Sequence, residues 1–105
     1  MKFAFDEFFA KLPLPANEKW TPGVPFVNAF SKGNFELEFF APRGEDLQTP
    51  HDKDEIYVIV RGRGEFVEEN KRTDFAPGDV FLVEAGAAHR FENFSEDFAT
   101  WVIFF

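Results

Sequence analysis

Only two histidines occur in the 105-residue chain, His51 and His89. Histidine is the side chain best suited to ligate a transition metal or to move a proton near neutral pH, so the surroundings of each are informative. His51 stands four residues ahead of Glu55, which opens the strand-forming run 55–61. Side chains alternate along a strand, so Glu55, Tyr57 and Ile59 share one face, and His51 need only arrive from the preceding turn to meet an inward Glu55. By the same rule His89, Phe91 and Asn93 share a face of a later run. Two imidazoles and one carboxylate form a donor set for divalent iron, manganese, nickel or zinc that leaves positions open for a substrate. The chain has no cysteine, which excludes both a thiolate metal site and a disulfide framework.

Neighbouring residues extend the candidate site. Tyr57 is a candidate proton donor or anchor for a substrate oxygen, against the competing reading of a buried amphipathic core residue. Asn93 either orients an inward ligand or satisfies backbone at a strand end. Arg90, on the opposite face from His89, is expected to be an exposed or interface charge, while Arg61 and Arg63 are expected in solvent. Glu65, Glu68 and Glu69 read as a solvated acidic edge that discourages strand-to-strand association. No nucleophile arrangement surrounds Ser31 or Ser95, and G62-R63-G64 is a strand turn without a nucleotide signature.

The elements that must position these residues are mostly strands. Phe5, Phe8, Phe9 and Leu12 recur at helical spacing, which predicts a short amphipathic helix over 3–12, ended by P13-L14-P15. Four prolines between positions 13 and 25 describe an extended crossing segment. Strands are predicted at 24–31, 35–40, 55–61, 64–69, 80–84, 88–94 and 98–105, separated by glycine-bearing turns. That rhythm is all-β, a sandwich or barrel. In the 34–41 run, Phe35, Leu37 and Phe39 share one face and Glu36 and Glu38 the other, which predicts a sheet with one wet side. The 55–60 run and W101-V102-I103-F104-F105 are apolar on both faces. A symmetric homodimer is the favoured cover for the second face, with the N-terminal helix as its competitor.

Composition sets the outer bounds. One domain fits this length, and seventeen phenylalanines supply a dense core or line a pocket. A formal net charge of −8 argues against a nucleic-acid partner. No run approaches the length of a membrane span, and acids at positions 6 and 7 do not suit a secretory leader, so a cytoplasmic protein without a membrane partner is expected.

The residues around the histidines resemble the cupin family. His51, Glu55 and Gly62 fit the second half of its motif G-x5-H-x-H-x3,4-E-x6-G. Gly78, Gly86, His89 and Asn93 fit the slots of G-x5-P-x-G-x2-H-x3-N. Three positions depart from the pattern: Thr49 occupies the first histidine slot, Gly44 lies one residue too near, and Glu84 replaces the proline. The resemblance covers about residues 33 to 105. It implies a double-stranded β-helix (a jelly-roll barrel) over 33–105, with the helix and extended segment of 1–32 packed on it. It also implies one divalent metal on His51, Glu55 and His89, joined by Gln48 or Thr49 where the family's missing histidine would stand. Cupins include dioxygenases, sugar isomerases and epimerases, and ligand-binding modules without turnover. The favoured expectation is a metal-dependent enzyme acting on a small organic molecule, dioxygenase-like or isomerase-like; the alternative is a non-enzymatic small-ligand binding or sensing protein, and a purely structural dimer module ranks last.

Overall fold

The computed structural model describes residues 1–105 as one helix and eight strands. They are α1 (Phe5–Lys11), β1 (Phe26–Lys32), β2 (Phe35–Phe40), β3 (Glu55–Arg61), β4 (Gly64–Glu68), β5 (Lys71–Phe75), β6 (Val80–Val83), β7 (His89–Glu92) and β8 (Ala99–Phe104). Seven of the strands answer to the predicted runs. The eighth, β5, has the sequence KRTDF, in which polar residues give no apolar alternation to read. It forms because the two residues Glu69 and Asn70 turn the chain back onto β4, with Glu69 at a positive φ of 54°.

That extra strand corrects the expectation of an acidic edge at 65–69. β4 lies between β5 and β7, so Glu65 and Glu68 belong to a central strand. Glu65 is paired across the sheet with Arg72 at 3.2 Å and accepts a hydrogen bond from the Asn93 side chain at 2.5 Å.

All strand pairs are antiparallel, in a five-stranded sheet of order β1-β2-β8-β3-β6 and a three-stranded sheet of order β5-β4-β7. The two curl around an aromatic interior that includes Tyr57, Phe66, Phe75, Phe91 and Phe98, the jelly-roll barrel that the family resemblance implies. The crossing segment between α1 and β1 is held by a Leu14–Val24 bridge and drops Trp20 into the same interior.

Strand β2 overturns the expected assignment of its wet side. Glu36, Glu38 and Phe40 point into the barrel, while Phe35, Leu37 and Phe39 lie on the outside of the larger sheet. The reason is α1: Phe39 is fully buried beneath it, edge-on to Phe5 at 5.4 Å and to Trp101 at 4.8 Å. Parity identifies which residues share a face, but the helix makes the outer face the apolar one. Arg61 also departs from expectation, because its guanidinium lies over the Phe5 ring at 4.3 Å and binds the helix to the sheet. Beyond the helix the outer face stays open, with Phe35, Val80 and Leu82 at 40%, 61% and 58% exposure. No helix is long and apolar enough to cross a membrane.

Candidate metal centre

Inward positions of β3 and β7 carry Glu55, Tyr57 and His89 into the barrel, all of them buried. His51 comes from the loop before β3, and that loop is tied down at several points. The Gly86 amide donates to the His51 carbonyl at 2.8 Å, the Ala85 amide donates to Asp54 Oδ1 at 2.8 Å, and Lys53 Nζ donates to Glu36 Oε1 at 2.6 Å. Gly86 has a φ of +83°, in the left-handed region that suits glycine, so the turn before β7 can present its amide to the loop. The imidazole of His51 meets the Phe104 ring edge-on at 5.0 Å.

The three expected ligands converge. His89 Nε2 lies 3.2 Å and His51 Nε2 3.8 Å from Glu55 Oε2, and one donor atom from each residue falls within 4.8 Å of the others. Two donors each ~2.1 Å from a shared ion lie at most ~4.2 Å apart, so both measured separations are compatible with one cation. Gln48 and Tyr57 join the same point. Gln48 Oε1 is 3.1 Å from His89 Nε2, and the Tyr57 hydroxyl is 2.9 Å from Gln48 Oε1 and 3.0 Å from His89 Nε2. Thr49 is exposed and lines no part of the cavity. Asn93 reaches Glu65 on the outer face of the small sheet, and Arg90 is paired with Glu92 at the surface.

Protons are scarce at this point. His89 Nδ1 donates to the Ala87 carbonyl at 2.8 Å, which leaves Nε2 with its lone pair directed inward. Gln48 Oε1, Glu55 Oε2 and His89 Nε2 are then three acceptors in mutual proximity, with the single Tyr57 proton among them. Both oxygens of Glu55 are buried and have no hydrogen-bond partner. An uncompensated buried carboxylate is costly, and a cation is the species that would satisfy it. The residues present therefore fit a divalent metal.

In the metal-free chain a proton competes with a cation for the same cluster, because the imidazolium form of His89 can donate to Glu55 Oε2, 3.2 Å away. Desolvation lowers the His89 pKa, but the Glu55 carboxylate and the Ala87 carbonyl outweigh it and leave the net shift upward. Burial, followed by the charge of Glu55, pushes the Tyr57 phenol well above its ordinary value, so it remains a proton donor. Burial also raises Asp46, against the hydrogen bonds it accepts from Phe91 and Gln48.

Two residues of the site carry no mark of it in the sequence pattern. Asp46 is buried and accepts from the Gln48 side-chain amide at 2.6 Å, the Gln48 backbone at 3.1 Å and the Phe91 backbone at 2.8 Å. Holding the Gln48 nitrogen, it turns Oε1 toward His89. An acid two residues before a glutamine, the spacing of an Asx turn, is the one local signal available. The other is Glu38, on the wall of a cavity of ≈ 70 Å³ beside the ligands. Burial, reinforced by Glu55 and Glu36, raises its carboxyl to about 8.

Comparisons with known proteins follow the same geometry. A Streptomyces coelicolor protein, SCO3923, is 42% identical over 59 residues, a match spanning 56% of each chain, so this chain covers little more than half of that relative's length. Among solved structures, a cupin-2 domain protein of Shewanella frigidimarina superposes with a TM-score of 0.69 at 15% identity, over 96% of this chain and 91% of that one. A cupin 2 conserved barrel protein of Salinispora arenicola gives 0.65 at 22% identity, over 76% and 73%. The cupin domain family model matches residues 36–105, from β2 through β8. With two thirds of its length in that match, the chain belongs to the cupin family.

Proposed function

We propose that the protein is a metal-dependent enzyme acting on a small, partly apolar organic molecule, with His51, Glu55 and His89 holding a divalent ion and Gln48 Oε1 as a fourth ligand. The observation that carries this reading is the pair of orphaned Glu55 oxygens facing two imidazole nitrogens. A bound divalent ion supplies a Lewis acid that polarises a substrate oxygen, as isomerase-like chemistry needs, or the redox chemistry of a dioxygenase if the ion is iron. The chain's own residues do the rest. Trp20, Phe26, Phe40 and Phe104 exclude water and grip apolar substrate surface, and the Tyr57 hydroxyl holds a proton at the ligand cluster. A non-enzymatic binding or sensing role is the second reading. It is favoured by Tyr57, whose single O–H already faces two acceptors, Gln48 and His89.

Metal analysis of untagged protein, compared with His51→Ala, tests the centre: wild type is expected to retain stoichiometric metal and the variant to lose it. Equal and negligible metal in both would overturn the proposal. Oxygen-uptake measurements with the ferrous protein then separate dioxygenase-like from isomerase-like chemistry, and a ligand panel read by thermal shift identifies a binder without turnover.

The assembly we propose is a homodimer through the part of the larger sheet that α1 leaves uncovered, where Phe35, Val80 and Leu82 are exposed. Sedimentation analysis is expected to show a dimer that Leu82→Glu dissociates. A monomeric wild type at high concentration would refute it.

A further inference from the structure

Glu38 stands apart from the ligand set. It faces the barrel from β2, in register with Val102 of β8, which is in turn in register with Tyr57 of β3. Glu38, Val102 and Tyr57 thus form one row across three strands, and all three line the same cavity. Two strand spacings separate the ends of the row, about 9–10 Å between backbones. Between them lies aromatic and aliphatic wall. The Glu38 carboxyl is engaged by no hydrogen bond and no ion pair; its electrostatic neighbours are the carboxylates of Glu55 and Glu36. Glu36, by contrast, is paired with Lys53 at 2.6 Å.

Glu38 is half-buried and solvent reaches its carboxyl, but no protein group engages it, so on an apolar cavity wall its acceptor is free for a donor that enters with a ligand. We propose that Glu38 is a substrate-recognition residue, which takes a hydrogen-bond donor, a hydroxyl or an ammonium, at the end of the substrate remote from the metal ligands. The row across β2, β8 and β3 sets the length of that substrate at about one ring or a comparable chain. Its charge selectivity follows from the company Glu38 keeps: a ligand carboxylate at this end would add a negative charge to a site already in the field of Glu55 and Glu36 and is disfavoured. The selected class is a small molecule with a metal-binding oxygen at one end, an apolar middle and a donor at the other.

The inference rests on the reading of this cavity as the ligand site, and the experiment separates the two. Zinc content of the loaded protein is measured first, so that failure to hold metal overturns the metal centre and not the role of Glu38. Loaded protein is then titrated with 4-(hydroxymethyl)benzoate, 4-(aminomethyl)benzoate, 4-methylbenzoate and terephthalate. The indole N–H resonance of Trp20 reports from the cavity wall, and that of Trp101, under the helix, is the control. The hydroxymethyl and aminomethyl probes are expected to bind at least tenfold more tightly than terephthalate. Glu38→Leu should bring 4-methylbenzoate to the front, and Glu38→Gln should keep the hydroxymethyl probe within a few-fold of wild type. An order unchanged in Glu38→Leu, terephthalate bound as well as the others, or no probe moving Trp20 in wild type overturns the proposal. If zinc is not held, benzyl alcohol against benzoate on the metal-free protein and the same variants decides the question by the same criteria.

Discussion

The two ends of the barrel interior solve opposite problems with neighbouring residues of the same strands. At the closed end Phe91 is surrounded by Tyr57 and Phe66 at 4.9 Å, Phe98 at 4.7 Å and Phe75 at 5.4 Å between ring centres. Backbone meets backbone there: a Cβ at Gly62 would lie 2.6 Å from Phe98 Cα, and one at Gly64 2.7 Å from Phe94 Cα. Two residues before Phe91 on the same strand, His89 belongs to the open end, where acceptors outnumber protons and Glu55 has no partner. One end is packed for stability. The other gives stability up, as functional sites do.

The largest effect that tests this contrast is at the closed end. Phe91→Ala is expected to cost about 3–5 kcal/mol, since a ring in contact with four others leaves a cavity that cannot collapse. Urea denaturation measures it, and a cost below ~1 kcal/mol would mean that this end is not the stabilising one.

At the open end the sign reverses with pH. The Glu38 carboxyl titrates at about 8 in the folded chain, above its ordinary value of 4.5. The native state therefore holds this proton after the unfolded state has released it. Its contribution to stability is complete below the unfolded value and is lost as pH rises through the folded one. Metal-free protein is expected to lose on the order of 2–4 kcal/mol between pH 5 and 9 from this group, and Glu38→Gln to remove that slope. A slope unchanged in the variant would show that Glu38 is not the source. Glu55→Gln should act in the same sense at constant pH, stabilising metal-free protein by about 1–3 kcal/mol while weakening metal binding. Destabilisation of the metal-free form would mean that the carboxylate is already satisfied.

How much of this is legible in the sequence follows from what each residue depends on. Glu55 and His89 can be placed because parity and the paired motifs bear on them directly, and His51 because its loop has only a short distance to cover. Glu38 lies on the side opposite to the expected one because alternation is symmetric: it groups Glu36 with Glu38 but says nothing of which group α1 will cover. β5 escapes because KRTDF owes its strand to the turn before it and to β4, not to its own pattern. Arg61 leaves solvent because its partner is Phe5, 56 residues earlier in the chain. Asp46 is hidden for a related reason, since it acts through another side chain and touches a strand 45 residues away.

Asp46 gives the smallest expected effect and the sharpest test, because it joins the two ends. One oxygen, Oδ2, accepts from both the Phe91 backbone and the Gln48 side chain. In Asp46→Asn a carbonyl oxygen in the Oδ2 place keeps both of those bonds, and the new amide nitrogen takes the Oδ1 place, against the Gln48 backbone N–H. Two donors then face each other, which pushes residue 48 back and draws its Oε1 away from His89 and the metal. Metal affinity should fall about 10–100-fold, with a stability loss of only about 1 kcal/mol. If Asp46 acts on the metal through Gln48, Asp46→Asn should cost little further affinity once residue 48 is alanine, as chelator competition on the Gln48→Ala single and double variants would show. A purely structural Asp46 predicts two independent losses instead, and additivity in that cycle would remove the link from Asp46 to the metal.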